Sequence, residues 1–377
     1  MPASSLALAI LRHEWRRFLP GLLSVTFAGV LMLVQLGLLL GMFGTVTVLV
    51  DSAQADLWIS SPAAESFDQG QAIPARLADL ARLRPEVARS ETLMLNDVIW
   101  HSPRGARLGV SLVGLSPGAD ALGCPQALRA TLCDRLSEPM AVIVDEGDLD
   151  KLATAPGEMA EINGRRVRVL AAARGLRNIG GAYVFASKQT ARALLETGRG
   201  NDEVTFVLAK LATPSAEPAR AALQADVLGA RYRAWTRREF SASSQWYWLR
   251  ESGVGAGFLF SSLLGLAIGV VITSQTLRAA VLGSIREYAT FRAMGVPAVK
   301  LGTVVLQQSL LIGCAGVVLT LLASLAVKAL AAVFDITLVF SAWAVLLAGA
   351  VGLITAVFSG VLTLRELYRL EPAELLR

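Results

Sequence analysis

The residues best suited to chemistry in this sequence lie in a short charged stretch, GSIREYATFRAMGVP, at positions 283–297. Ser284 and Glu287 have the S-x-x-E spacing of a capping box, in which each side chain can bind a free N–H at a helix start. Gly295 suits the left-handed residue after a helix, and Pro297 prevents the helix from continuing. The stretch therefore predicts a short helix with a defined beginning and end.

The surface of this short helix favours contact with another protein. It combines aromatic and apolar side chains with arginines, a composition typical of protein–protein hot spots. These residues are Ile285, Arg286, Glu287, Tyr288, Phe291, Arg292 and Met294. A helix of this length is marginal in water, so it needs a surface to pack against. The alternative is an intracellular turn that lies on lipid headgroups.

The rest of the sequence offers little for catalysis. It has no G-x-x-x-x-G-K-[ST] phosphate loop. Its two histidines, His13 and His101, fall on opposite sides of a membrane in the topology given below, and no Cys/His cluster has metal-ligand spacing. We therefore expect no catalytic residue, no metal and no cofactor in this chain, which would not itself be an enzyme.

Four apolar segments predict four transmembrane helices. They cover 18–50, 251–282, 301–333 and 341–364, in a chain that is 54% hydrophobic and only 17% charged. Each exceeds the ~20 residues that cross a ~30 Å hydrocarbon core as a helix. The first follows several arginines, as a signal peptide would, but it is too long for a signal-peptide core and is interpreted as a retained span.

Basic residues set the predicted orientation. They cluster before the first span, between the second and third spans, and after the fourth, so these segments are expected in the cytoplasm. The net charge of +5 then reflects topology, and no nucleic-acid partner is expected. Both termini would be cytoplasmic, with 365–377 as a cytoplasmic tail. Residues 1–17 are interpreted as an amphipathic helix at the membrane surface, the alternative being an extension of the first span.

The long segment 51–250 is predicted to be a mixed α/β domain on the outer side of the membrane. Short runs rich in β-branched and aromatic residues alternate with turn residues and short helical patterns. Asn163-Gly164 favours a β-hairpin turn. We expect a membrane-proximal lobe from about 51–118 and 200–240, with about 119–199 inserted as a second lobe.

Three cysteines are present. Cys314 lies in the third span and is interpreted as a packing residue. Cys124 and Cys133 are nine positions apart in the external domain, where an oxidising compartment would permit a disulfide. Two buried free thiols are an equally good interpretation of the sequence. Two GxxxG pairs, Gly37/Gly41 and Gly265/Gly269, would allow close helix packing but can occur by chance in spans this rich in glycine.

Two motifs resemble those of a known family. The stretch REYATFRAMGVP resembles the cytoplasmic coupling-helix motif of the FtsX/MacB-like ABC permeases, and the tail RLEPAELLR resembles that superfamily's closing motif. The order of one span, a large external domain and three further spans is also similar. The Tyr-Ala-Thr in the first motif, the length and the segment VIWHSPRGARLGVSLVGLSP look closest to the DevC-type permeases.

This resemblance implies a fold, a function and partners. The fold would be the MacB-like permease fold in the bacterial inner membrane, with the large domain in the periplasm. The permease would form a homodimer and bind a cytoplasmic ABC ATPase of the MacB/LolD type, which binds ATP and Mg. DevC-type permeases further imply a periplasmic HlyD-type adaptor and a TolC-like outer-membrane channel. Motion would pass outward through stalks near 42–55 and 240–251.

The resemblance also implies roles for particular residues. The residues expected to contact or position the ATPase are Ser284, Ile285, Arg286, Glu287, Tyr288, Phe291, Arg292, Ala293, Met294, Gly295 and Pro297. The residues of the tail motif are Arg369, Glu371, Pro372, Ala373, Glu374, Leu376 and Arg377. The expected function is ATP-driven mechanotransmission for efflux or secretion. Alternatives are an adaptor-independent FtsX-like permease, for lipoprotein or haem export or for signalling to a cell-wall hydrolase, and a membrane receptor.

Overall fold

The computed structural model describes residues 15–128, 132–178, 180–195, 202–251, 253–283, 298–334 and 336–367. These residues form two compact units. The described parts of Met1–Gly41 and Val254–Arg377 make a helical unit, and the described part of Met42–Gly253 makes a sheet-rich unit. Four long apolar helices flank the sheet-rich domain, which lies between the first and second of them in sequence, as predicted.

The helices and strands of the described chain are numbered in sequence order. The helices are α1 (Trp15–Val46), α2 (Val48–Ser52), α3 (Leu77–Arg82), α4 (Leu149–Leu152), α5 (Lys188–Leu194), α6 (Ala216–Leu223), α7 (Arg237–Glu251), α8 (Val254–Gly283), α9 (Ala298–Val333) and α10 (Ala342–Leu367). The strands are β1 (Leu57–Ser60), β2 (Ile73–Pro74), β3 (Val87–His101), β4 (Arg107–Leu115), β5 (Ala141–Asp145), β6 (Met159–Ile162), β7 (Arg165–Ala173), β8 (Ala182–Ser187), β9 (Glu203–Val204), β10 (Phe206–Leu211) and β11 (Arg233–Thr236). Short 3₁₀ turns cover Phe67–Gln69, Asp134–Ser137 and Glu146–Asp148, and a π-helical turn covers Gln224–Leu228.

One continuous sheet of nine strands organises the sheet-rich unit. Its order is β11-β1-β10-β3-β4-β8-β5-β7-β6, and β2 and β9 form a separate pair. All neighbours are antiparallel except β4/β8 and β5/β7, which are parallel. The strands of the two predicted lobes occupy the two halves of this one sheet. The division into lobes stays a prediction, because both halves belong to the same compact unit.

The long strand β3 connects the two halves of the sheet. Its first part pairs with β10, and its second part, from Met94 to His101, pairs with β4. At Trp100 and His101 it also pairs with β6, so β3, β4, β8, β5, β7 and β6 close into a ring. The hairpin between β6 and β7 turns at Asn163 (φ 48°) and Gly164 (φ 79°), as the sequence predicted. Positive φ at both positions is what a type I′ turn requires.

The sheet is covered by apolar side chains on both faces. In β1, Leu57 and Ile59 join one buried cluster while Trp58, between them, joins a second. In β8, Val184 and Phe185 divide in the same way. Successive side chains of a strand point to opposite faces, so this division means that each face packs against its own layer.

A disulfide fastens the segment between β4 and β5 onto the second of these clusters. Cys124 and Cys133 are joined, with their Cα atoms 6.4 Å apart, and both are fully buried. Leu122 and Leu136 of the same segment are also fully or almost fully buried in this cluster. The sequence had left the pairing open. Cys314, interpreted from sequence as a packing residue, has an exposed side chain in this chain.

Both GxxxG pairs make close contacts within the helical unit. A Cβ at Gly269 would lie 2.9 Å from Ala28 Cβ on α1, so the glycine allows α8 to approach α1. A Cβ at Gly37 would lie 2.6 Å from the Phe340 ring, and one at Gly41 would collide with the carbonyl oxygen of Thr337. The turn between α9 and α10 therefore packs directly on the backbone of α1.

Polar side chains also join α1 to α8. Ser262 Oγ donates to Gln35 Oε1 at 2.7 Å, and Gln35 Nε2 donates to Ser261 Oγ. Both the oxygen and the nitrogen of the Gln35 side-chain amide thus have hydrogen-bond partners between two apolar helices. In a hydrocarbon environment such a bond contributes about 1 kcal/mol and fixes the register of the helices. The pairing orients α8 against α1 without a charged residue.

We predict that the disulfide stabilises the sheet-rich unit. Replacing both residues (Cys124→Ala with Cys133→Ala) should lower its free energy of unfolding by about 2–3 kcal/mol, because the unfolded chain regains loop entropy. Urea unfolding of the full chain in detergent, followed by tryptophan fluorescence, measures this. Cys314→Ala is the control and should change little. Alkylation of both thiols in unreduced protein would contradict the assignment.

A second prediction compares two glycines of α1. Gly41→Val should disrupt the packing of the turn between α9 and α10, because even a Cβ at position 41 would meet the Thr337 carbonyl oxygen. Gly44→Val is the matched control, since a Cβ there meets nothing within 4 Å. We expect Gly41→Val to lower the thermal unfolding temperature in detergent and Gly44→Val to leave it nearly unchanged. Equal effects would show that the close approach is unimportant.

Candidate functional site: the stalk helix and its seat on the sheet

The predicted ATPase-coupling residues and tail motif are not part of the structural description. Residues 284–297 and 368–377 lie outside the described residues. The described site with functional character is the segment that the sequence singled out as a stalk. It consists of α7, which ends at Glu251 shortly before α8 begins at Val254, and of the surface on which α7 packs.

The stalk helix α7 begins with a reciprocal capping box. The Thr236 backbone N–H donates to Glu239 Oε2 at 2.9 Å, and the Glu239 N–H donates to Thr236 Oγ1 at 3.3 Å. Two N–H groups at the helix start are satisfied in this way. Because Thr236 is also the last residue of β11, the cap fixes the direction in which α7 leaves the sheet.

One face of α7 carries the contacts with the domain. Phe240, Ser244 and Trp248 are spaced four residues apart, so they lie in a row along the helix. Phe240 is fully buried, and its ring centroid lies 5.5 to 5.7 Å from those of Trp235 and Trp58. Ser244 is also fully buried, and its Oγ accepts a hydrogen bond from the Phe67 backbone N–H at 3.1 Å.

Phe240 completes a cluster of aromatic rings against the sheet. Phe67 and Phe206 stack with centroids 5.1 Å apart, and Trp58 meets both rings edge-on. Phe240 lies 5.6 Å from Phe206. Each such pair contributes about 0.5–1.5 kcal/mol beyond the burial of apolar area. The stalk helix is therefore attached to the sheet by its most strongly buried side chains.

Asp51 joins the two predicted stalks. Its Oδ2 accepts from Thr47 Oγ1 at 2.6 Å, next to α2, and from Ser241 Oγ at 3.3 Å on α7. Thr47 also separates α1 from α2, so the predicted span 18–50 is divided at this residue into two helices. The chain entering the domain and the chain leaving it are thus hydrogen-bonded to the same carboxylate.

The C-terminal end of α7 is held by a second carboxylate, that of Asp68. Trp248 Nε1 donates to Asp68 Oδ2 at 3.0 Å, while Asn178 Nδ2 and Tyr183 Oη donate to Oδ1, each at 3.3 Å. Burial raises the pKa of Asp68 above its usual value, and the three donors and the nearby Asp97 modify this shift without reversing it. Burial and the neighbouring Asp68 also raise the pKa of Tyr183.

This arrangement can hold α7 against the sheet. Asp68 binds neutral donors, and within the described ranges no group of three or more His, Cys, Asp or Glu side chains could hold a metal ion. What the residues can do is resist displacement of α7 from the sheet. The row on α7 combines one aromatic anchor with two hydrogen-bonded residues.

The resemblance predicted a stalk near 240–251, where α7 lies, but the sequence did not identify the contacts of this helix. The sequence does contain the four-residue spacing of Phe240, Ser244 and Trp248. The exposed residues between them make this helical pattern hard to recognise. Asp68, Asn178 and Tyr183 have no signal in sequence, because they come from three distant segments that meet only in the folded domain.

A family model matches part of the helical unit. Residues 259–372 match the family model described as FtsX-like permease C-terminal. The matched segment begins in α8 and extends past α10, so it includes three of the four apolar helices and the predicted coupling stretch. No curated protein sequence matches the chain.

Solved structures resemble parts of the chain at low sequence identity. The periplasmic region of MacB from Actinobacillus actinomycetemcomitans is 10% identical, with a TM-score of 0.36, covering 52% of this chain and 94% of that one. The extracellular domain of the noncanonic ABC-type transporter YknZ from Gram-positive bacteria is 12% identical, with a TM-score of 0.32, covering 48% and 99%.

The described part of the chain contains four apolar helices long enough to cross a bilayer: Phe18–Val46, Gly255–Thr276, Gly302–Val333 and Ala342–Leu362. Residues 259–372 are similar to the C-terminal part of FtsX-like permeases, one of the families that the sequence motifs resemble.

We predict that the bond between Trp248 and Asp68 stabilises the stalk. Trp248→Phe should lower the free energy of unfolding by about 1–3 kcal/mol, because it removes a donor from a partly buried carboxylate. Trp246→Phe is the matched control, since Trp246 is 58% exposed and should change stability by less than about 0.5 kcal/mol. Urea unfolding of the full chain in detergent measures both. Equal losses would refute a specific role for Trp248.

Proposed function

We propose that this chain is the permease subunit of an ABC exporter that transmits ATPase-driven motion across the inner membrane to its periplasmic domain. A separate cytoplasmic ATPase of the MacB/LolD type binds ATP and Mg and engages the coupling helix at 283–297. The observation that carries the proposal is the match of residues 259–372 to the FtsX-like permease family, because it spans this stretch and the helices on both sides of it.

The seat of α7 supports the mechanical part of the proposal. Force can reach the sheet only through side chains that resist separation from it. Phe240 is fully buried among other rings, and burial of this kind is worth about 3–5 kcal/mol for a phenylalanine. Asp51 ties α2 to the same helix, so both chain connections of the domain would move together.

The exposure of α8 supports a homodimer. Few of the residues within the apolar segment Gly255–Thr276 are buried inside the chain. Leu259, Phe260 and Leu263 are each more than half exposed. In a membrane such a face contacts lipid or another helix, and the proposed second copy would cover part of it.

We further propose that the permease is of the DevC type. It would then drive efflux or secretion through an HlyD-type periplasmic adaptor and a TolC-like channel in the outer membrane. The support is the resemblance of the coupling stretch and of the segment at 98–117. Both termini and the coupling helix would lie in the cytoplasm. Co-purification of an adaptor with the chain tests this finer assignment.

The coupling helix is tested by a charge reversal. Glu287→Arg should weaken binding of the ATPase by about tenfold or more, because an acidic capping residue is replaced at the proposed contact. Gly295→Pro should preserve the fold of the sheet-rich unit but abolish the effect of the permease on ATP hydrolysis. The measurements are co-purification and hydrolysis rate with the ATPase in lipid nanodiscs.

The matched control for the charge reversal is Asp79→Arg. Asp79 is an exposed carboxylate on α3 of the sheet-rich unit. The Asp79→Arg variant should leave ATPase binding and the rate of ATP hydrolysis unchanged. If Glu287→Arg and Gly295→Pro both behave like wild-type protein, the coupling role of 283–297 is wrong.

A further inference from the structure

A polar cleft lies beside the C-terminal end of α7, within the sheet-rich unit. It has a volume of about 490 Å³, and its polar lining residues are Asp68, Asn96, Asp97, Ser111, Asn178 and Trp248. This volume falls in the range of about 300–1,000 Å³ that is typical of small-molecule sites. Two of its lining residues, Asp68 and Trp248, also hydrogen-bond to each other.

The cleft presents acceptors and negative charge. Asp68 and Asp97 both line it, and none of the described residues in its lining is basic. Asp97 stands on β3 opposite Ser111 of β4, and Ser111 Oγ donates to Asp97 Oδ1 at 3.0 Å. The side chain of Asp97 is exposed, so its carboxylate is available to a molecule that enters from solvent.

A buried acceptor in the cleft has no partner in the described part of the chain. Asn178 is only 7% exposed, and its Nδ2 donates to Asp68 Oδ1 at 3.3 Å. Its Oδ1 makes no hydrogen bond with any described residue. An unsatisfied buried acceptor destabilises the fold, so a ligand that donates a hydrogen bond to it would be favoured at this position.

We propose that this cleft binds a guanidinium group. A guanidinium carries a positive charge and five N–H donors in one plane, so it can satisfy two carboxylates and the Asn178 carbonyl together. It also stacks on aromatic side chains, and the indole of Trp248 forms part of the lining. An ammonium ion has the charge but lacks the planar set of donors.

Electrostatics inside the domain favour a cation at this position. Asp97 raises the pKa of Asp68 further, as like charges do, and the donors that Asp68 does have are neutral side chains. A bound cation would offset both the burial of Asp68 and its repulsion by Asp97. Because Trp248 lies on α7 and also binds Asp68, an occupied cleft would tighten the attachment of the stalk. Binding itself does not depend on the proposed permease function.

The test uses the full chain in detergent micelles and isothermal titration calorimetry. The probe is the tripeptide acetyl-Gly-Arg-Gly-amide, and its control is the same peptide with citrulline, a neutral group of the same shape. We expect the arginine peptide to bind at least tenfold more tightly than the citrulline peptide. It should also bind more tightly than the same peptide with lysine in place of arginine. Binding should weaken as salt concentration rises.

Variants assign the binding to the cleft. Asp97→Asn should weaken binding of the arginine peptide about tenfold or more, and Asp97→Glu should restore part of it. Both act at an exposed position, and unfolding temperatures check that the fold is intact. Asp79→Asn removes an exposed carboxylate that does not line the cleft and should have no effect.

The outcomes separate the source of the guanidinium and decide the proposal. Agmatine binding as tightly as the peptide would indicate a free small molecule, whereas binding of the peptide alone would indicate an arginine of a polypeptide partner. Equal binding of the arginine and citrulline peptides, or unchanged binding by the folded Asp97→Asn variant, would overturn the proposal.

Discussion

The packing of Phe240 among the aromatic rings of the sheet is the interaction on which the rest of this structure depends. It fixes α7, the last helix of the sheet-rich unit, at a fully buried point. Without it, Ser244 and Trp248 would have no fixed position from which to reach Phe67 and Asp68. The burial of apolar surface is strong but has no preferred direction. It therefore places the side chains that form the weaker, directional hydrogen bonds.

The two units use different physics to bring chain segments together. In the sheet-rich unit, apolar layers on both faces bury the strands, and the disulfide fastens the segment that covers one layer. In the helical unit, most of the described helix surface is apolar, so burial from water cannot choose one packing over another. Glycines at Gly37, Gly41 and Gly269 permit close approach, and the Gln35 amide fixes the register.

The carboxylates of the sheet-rich unit show how one group can serve two purposes. Asp51 accepts from both stalk segments and links them. Asp68 accepts from Trp248 on the stalk while facing a cleft that also contains Asp97. A partly buried carboxylate surrounded by neutral donors keeps an unmet preference for a cation. The same residue that anchors the helix can therefore respond to what enters the cleft.

The sequence by itself determined the number and order of the apolar helices and the presence of short strands and helices in the segment 51–250. These follow from local patterns: uninterrupted apolar runs, alternation, and turn residues such as Asn163-Gly164. Only the tertiary structure decided that the strands form one sheet closed by β3 and β6, that Cys124 meets Cys133, and that Asp68, Asn178 and Trp248 share a site. The physical reason is that these contacts join residues far apart in the chain, and no local periodicity records which distant segments pack together.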